Sequence, residues 1–164
     1  MNSTSPSQIL RPEEFRKACA RYATGITVAT VTSPDGSPEG LTVNSFTSVS
    51  LDPPLILVCI AKTATAYPSF QVAKAFVVNV LREEQIDLSQ HFASSKSQRF
   101  EGLDWRPGVH GAPVLNGALA VLECAMHGSF DAGDHTVYLG LVERAESHEG
   151  PPLLYFASAY RKLG

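Results

Sequence analysis

The sequence predicts a mainly β protein, a closed or nearly closed barrel with a leading α-helix and short helices at its corners. Three observations carry that expectation. Short runs of β-branched and apolar residues recur along the whole chain. Eleven prolines and twelve glycines break them up, as strands joined by tight turns require. The regular strand–helix alternation that a parallel sheet would want is missing.

The elements follow in order. Residues 1–8, rich in serine and proline and without periodicity, are expected to be a flexible leader to a single domain over 9–164. Pro12 suits a first helical turn, and Phe15, Ala18, Cys19, Tyr22 and Ala23 recur at helical spacing, which predicts an amphipathic helix ending near Gly25. Ile26 to Thr32, the PDGS turn at Pro34 to Ser37, and Gly40 to Phe46 read as a hairpin. The apolar run LILVCI, Leu55 to Ile60, is expected to be a central strand buried on both faces. A short helix over Thr65 to Val72, a strand over Phe76 to Leu81 and a helix over Glu83 to Phe92 follow, then a polar excursion from Ser94 to Pro113. Ala118 to Phe130, Thr136 to Glu146 and Leu153 to Phe156 close the chain as strands, the first two joined by a turn containing Gly133 and Asp134.

Composition narrows the function. A chain of 164 residues hides roughly 70% of its unfolded surface in one domain, enough for a core without staples. The net charge of -3 and a pI near 5.9 supply no basic field, so neither nucleic acid nor an anionic membrane surface is expected as a partner. Cys19, Cys59 and Cys124 are too far apart for a CxxC pair or a zinc knuckle, which fits a reducing compartment. No stretch approaches the ~20 apolar residues of a membrane span, and MNSTSPSQIL has neither a basic start nor an apolar core, so a cytoplasmic protein is expected. The five histidines show no metal spacing, and GxGxxG, GxxxxGK[ST] and GxSxG are all absent.

Three stretches can carry chemistry, and each has a plainer reading. Thr42, Asn44, Ser45, Thr47 and Ser48 crowd hydroxyls and an amide beside an apolar run, suited either to pairing with a planar heterocycle or to an exposed β-edge. Cys59 to Thr65 follows the apolar strand and opens a helix, so backbone amides, Lys62 and Thr65 face an anion there or form an ordinary helix start. Ser94, Lys96 and Arg99 make a second phosphate clamp or a solvated turn. His135 stands at the head of the strand TVYLG, where it points toward a ligand or serves only structure.

Taken in order, YATGITVAT, LTVNSFTSVSLDPPLILVCIAKTA, FVVNVL, HFA, GDHTVYLG and PLLYF resemble the flavin reductase family, the small reductases that feed reduced flavin to two-component monooxygenases. The likeness covers about residues 13–163 and is most specific in TVNSFTSVSLDPPL together with GDHTVYLG. It implies an FMN-binding split barrel, a homodimer with flavin near the subunit interface, and hydride transfer from NADH or NADPH to FMN or FAD, with a monooxygenase as the receiving partner. By position, the resemblance puts Thr42, Val43, Asn44 and Ser45 at the isoalloxazine ring, with Thr47 and Ser48 nearby. It brings Cys59, Ile60, Ala61, Lys62, Thr65 and Ala66 to the ring edge and ribityl phosphate, and Phe92, Ala93, Ser94, Lys96 and Arg99 to the tail. His135 takes the histidine place of the GDH motif and positions the nicotinamide, with Tyr155 and Tyr160 beside it. Two rivals remain: an FMN-dependent oxidase of the pyridoxamine-phosphate type, against which GDHTVYLG argues, and a non-catalytic flavin-binding electron carrier.

Overall fold

The computed structural model describes residues 10–94 and 98–163, so the leader expected at 1–8 and the tail residue Lys96 lie outside the described residues. The described chain is dominated by strands. A helix α1 (Pro12–Cys19) leads into β1 (Thr24–Gly25), β2 (Thr27–Thr32), β3 (Pro38–Val43), β4 (Thr47–Leu51) and β5 (Pro54–Ala61). Then come α2 (Tyr67–Val72), β6 (Ala75–Val80), α3 (Ile86–Ala93), β7 (Trp105–Pro107) and β8 (Pro113–Leu115). The long pair β9 (Ala120–Ala132) and β10 (His135–Ser147) precedes β11 (Leu154–Phe156) and β12 (Ala159–Arg161).

Seven strands form one antiparallel sheet in the order β3-β2-β6-β9-β10-β5-β4. Among the described residues its two edges, β3 and β4, are joined by no ladder, so of the closed or nearly closed barrel expected from the sequence the closed form is not found. The pairing stops because the chain leaves strand geometry between Val43 and Thr47. Gly133 (φ 64°) and Asp134 make the two-residue loop between β9 and β10, where a glycine relieves the positive φ that such a hairpin demands.

Alternation along β5 and β10 decides what is inside. Ile56, Val58 and Ile60 face the core opposite Gly140, Tyr138 and Thr136. Leu55, Leu57 and Cys59 face outward and are only half-buried, which corrects the expectation of a central strand covered on both faces. The physical reason is position: β5 lies next to the edge strand β4, and the described residues cover its outer face only in part. The helix α1 also differs from expectation, ending at Cys19 rather than near Gly25, because Thr24 and Gly25 are taken by the ladder to β11. No residue of α1 is buried, and Phe15 and Tyr22 are 60% and 78% exposed.

The polar excursion folds as a small hairpin, β7–β8, pinned by buried polar groups. Asn79, fully buried in β6, accepts from Leu115 N at 2.8 Å and donates to Val28 O at 3.1 Å. The Glu123 carboxylate, 2% exposed, accepts from Val109 N at 2.5 Å and sits 3.5 Å from Arg106 and 3.8 Å from Arg144, ion-pair rather than hydrogen-bond distances. A buried charge persists only with such partners. Together they fix Trp105 and its neighbours against the sheet.

Gly140 lies where the core is tightest. A Cβ there would fall 2.5 Å from Phe76 Cζ and 2.8 Å from Cys124 Cβ, both buried. The Gly140→Ala variant is expected to lose about 1–3 kcal/mol of stability by overpacking, read as a lower urea midpoint at unchanged slope.

Candidate functional site

Ser45 shapes the hydroxyl-rich segment. The β4–β5 ladder runs from Leu51 opposite Pro54 to Thr47 opposite Leu57, and the same register would set Ser45 against Cys59. There the side chain replaces the strand: Ser45 Oγ accepts from Cys59 N at 2.9 Å and donates to Cys59 O at 3.0 Å. Thr42 Oγ1 likewise donates to Ser89 O of α3 at 2.6 Å. Val43 is buried in the core, its carbonyl accepting from Thr27 Oγ1 at 3.0 Å. Asn44, Thr47 and Ser48, by contrast, are exposed, and their side chains make no hydrogen bond among the described residues. The exposed-edge reading holds for β4, while the turn before it presents an unengaged polar group at Asn44.

The far end of β5 delivers the next set. Ile60 and Ala66 are buried, whereas Cys59 and Ala61 are half-buried on the outer face. Burial pushes the Cys59 thiol up, a trend the Ser45 hydrogen bond opposes. Lys62 Nζ pairs with Asp131 at 3.1 Å, and its backbone N–H donates to Asp134 O. Asp131 also accepts from Thr136 Oγ1 at 2.9 Å, and that bond, followed by Lys62, holds its carboxyl below the usual range. The helix α2 starts without a side-chain cap, so the ordinary capped start weighed from the sequence is not found, and Thr65 instead accepts from Arg99 Nη2 at 2.6 Å.

Arg99 joins these elements. Its Nη1 donates to Gly40 O of β3 at 2.5 Å, while His91 Nε2 donates to the Arg99 carbonyl at 2.7 Å. Around it lie two clefts with Thr65 and Arg99 in common. The smaller, about 240 Å³, brings together Thr42, Thr65, Phe92, Ala93, Ser94 and Arg99. Thr42, Thr65, Ser94 and Arg99 come from the three separate stretches singled out in the sequence, and Phe92 and Ala93 are positions the resemblance implied. Ser94 Oγ, however, donates to His91 O at 2.7 Å and closes the end of α3. The larger cleft, about 680 Å³, is bordered by residues that sequence reasoning missed, among them Glu39, Phe100 and Trp105. Only the lone tryptophan in a polar excursion hinted at them.

His135 opens β10 opposite Ala61, its Nδ1 2.6 Å from Asp134 Oδ1, with the side chain 42% exposed. The His135 partnership holds the Asp134 carboxyl below its usual range. Tyr155 and Tyr160 pair across β11–β12, rings 5.5 Å apart, and pack into a second core cluster around Leu81, Phe92 and Leu153. Tyr160 OH lies 2.9 Å from Ser89 Oγ. In this single chain the tyrosines therefore gather on the α3 side, while His135 stands at the β5–β10 end.

Comparison with known proteins now bears on the whole arrangement. The profile of the flavin reductase like domain matches residues 19–164. The chain belongs to that family. It is 44% identical over 149 residues to the FMN reductase (NADH) SmoA of Agrobacterium fabrum, covering 91% of this chain and 84% of that one. It is 38% identical to the flavin-dependent monooxygenase reductase subunit HsaB of Mycobacterium tuberculosis, covering 91% and 81%. The solved Streptomyces globisporus NADH:FAD oxidoreductase SgcE6, in complex with NAD and FAD fragments, superposes with a TM-score of 0.88 at 36% identity, covering 96% of this chain and 98% of that one. Some relatives are longer: the chain spans 45% and 61% of two Rhizobium meliloti proteins that are 44% and 43% identical to it.

This member of the flavin reductase family depends on one hydroxyl to hold the turn before β4 against β5. Removing it leaves Cys59 N–H and C=O without their partner. The Ser45→Ala variant is expected to lose about 1–3 kcal/mol of stability, the cost of half-buried polar groups left unpaired. Cys59 amide exchange, faster in the variant than in the parent, locates the loss at this contact.

Proposed function

We propose that the protein is an NAD(P)H:flavin oxidoreductase that passes a hydride from NADH or NADPH to FMN or FAD and supplies the reduced flavin to a partner monooxygenase. The observation that carries this reading is the convergence of Thr42, Thr65, Phe92, Ala93, Ser94 and Arg99 on one cleft. The names of relatives SmoA and HsaB support it, the first as an NADH-dependent FMN reductase and the second as a monooxygenase reductase subunit.

The residues present suit a flavin. A bound flavin supplies the hydride acceptor, so the protein has little acid–base work to do beyond binding and orientation. Asn44, Thr47 and Ser48 offer the polar edge that a heterocycle with alternating donors and acceptors requires. The guanidinium of Arg99, beside Thr65, gives the tail phosphate a cation. Lys96, outside the described residues, is proposed for the same end of the site. Ser45 and the Cys59 to Ala61 strand end form the floor, and Lys62, held by Asp131, places a positive charge beside it. His135, at the mouth of the β5–β10 ladder, positions the nicotinamide; Tyr155 and Tyr160, which lie on the α3 side of the same chain, would join that pocket only from the second copy of a homodimer.

The same reading includes a single domain over 9–164, a split barrel and a homodimer with flavin near the interface. An exposed apolar surface supports the dimer: Leu51 is 95% exposed, Phe130 56% and Val49 48%, beside the half-buried outward Leu55 and Leu57. A surface of that kind is the sort that a second copy covers.

One steady-state assay tests the reading. Nicotinamide oxidation should scale with added flavin, and comparison of both nicotinamides and both flavins selects the pair. Oxidation of a phosphorylated amine would mark the rival oxidase, and a yellow protein without turnover the carrier. The His135→Ala variant should raise the nicotinamide KM about tenfold or more with nearly unchanged flavin affinity; unchanged kinetics would overturn the positioning role.

A further inference from the structure

The larger cleft has no part in the flavin reading, although it shares Thr65 and Arg99 with the smaller one as a common wall. Its volume of about 680 Å³ is that of a pocket for a small organic molecule.

Charge sets this cleft apart. Asp35, Glu39 and Glu101 line it against a single guanidinium, that of Arg99, among the described residues. None of the three carboxylates enters an ion pair among the described residues. Asp35 stays ionised, because hydrogen bonds from Ser33 and Ser37 hold its carboxyl down at about 2. Glu39, half-buried on β3, is the more telling group: its Oε2 is shielded from water and meets no donor among the described residues. A carboxylate held in that way costs stability unless a cation answers it. Arg99 is turned elsewhere, Nη1 to Gly40 O and Nη2 to Thr65 Oγ1.

The opposite lining is aromatic. Trp105, half-buried, and Phe100 pack edge to face at 5.7 Å, and both border the cleft. A ring face attracts a cation within about 6 Å through its quadrupole. An anionic ligand would be repelled by the carboxylates, and a neutral one would leave Glu39 unanswered. A positive charge on an apolar body satisfies both the carboxylates and the rings.

We propose that the larger cleft binds a small organic cation, a protonated or quaternary amine, with Glu39 and Trp105 as its determinants. The site needs no flavin, so it stands or falls apart from the flavin reading. Its effect on flavin does rest on that reading. A positive charge added beside Arg99 draws a phosphate toward the shared wall, so cation and flavin tighten each other's binding by the same factor.

Calorimetric titration of the flavin-free protein with benzyltrimethylammonium, whose charge is independent of pH, tests the site against the neutral benzyl alcohol. The cation should bind at least about tenfold more tightly than the alcohol. The Glu39→Gln variant keeps the shape and removes the charge. It should bind the cation about tenfold more weakly, while its urea midpoint without ligand holds or rises, because an unpaired shielded charge is gone. The Trp105→Ala variant should also weaken the cation and Trp105→Phe restore most of the loss, with thermal unfolding to check that both fold. Equal affinity for cation and alcohol, or unchanged cation affinity in Glu39→Gln, would overturn the proposal. A lowered midpoint in that variant would do the same, since Glu39 would then already have its partner. So would displacement of the cation by FMN, FAD or NADH, which would give the cleft to a cofactor. Saturating cation should lower the FMN Kd about twofold or more; an unmoved Kd would overturn the coupling. Failure of FMN to bind at all would count against the flavin reading and leave the cation titration as the test of the site.

Discussion

The site depends on a constraint at the open edge of the sheet. An antiparallel sheet of seven strands must end somewhere, and here both edges, β3 and β4, lie at the two ends of one short turn. Backbone groups at such ends are costly when buried and unpaired. Cys59 is where the problem falls, since its N–H and C=O point past the last paired residue of β4. Ser45 Oγ answers both groups at 2.9 and 3.0 Å. The turn from Asn44 to Phe46 is thereby held over the end of β5 without being part of the ladder, which frees its own polar atoms.

The β3 edge is managed in a different way. Its carbonyl at Gly40 accepts from Arg99, and its Thr42 hydroxyl donates into α3 at Ser89, whose own hydroxyl meets Tyr160. Gly40 allows this close covering, because a Cβ there would lie 3.0 Å from Thr30 Cγ2 and 3.3 Å from the Phe92 ring. The same contacts that shield an edge strand from pairing thus build the walls of two clefts. Protection of the edge and construction of the site are one arrangement. Thr42, Phe92 and Arg99 each take part in covering the edge and border a cleft beside it.

Much of the fold was legible because long strands and their turns leave strong local signals. The β2–β3 hairpin, the β5 strand, α3 and the β9–β10 pair all follow from apolar runs bounded by turn residues, and the Gly133–Asp134 loop from its positive-φ requirement. The misses share a physical cause. Two- and three-residue strands such as β1, β7 and β12 are too short for a local pattern to announce them: β1 exists through its pairing with distant β11, and β7 and β12 through single hairpin neighbours, β8 and β11. The end of α1 at Cys19 is likewise a tertiary decision, taken by the β1–β11 ladder. The partly covered outer face of β5 was illegible for the same reason, since an apolar run does not say which of its faces will find a neighbour.

The hydroxyl-rich segment shows how far composition can reach. Crowded Ser, Thr and Asn residues predicted a polar site, but they divide into two groups with opposite roles. Thr42 and Ser45 are turned inward and complete backbone hydrogen bonds; Asn44, Thr47 and Ser48 are turned outward and keep their groups unengaged. A sequence cannot separate the groups, because a hydroxyl bound to a carbonyl and one facing a ligand are the same residue type at neighbouring positions. The register of β4 on β5 does separate them. It runs out just before Ser45, and the residues on either side inherit different duties from that one interruption.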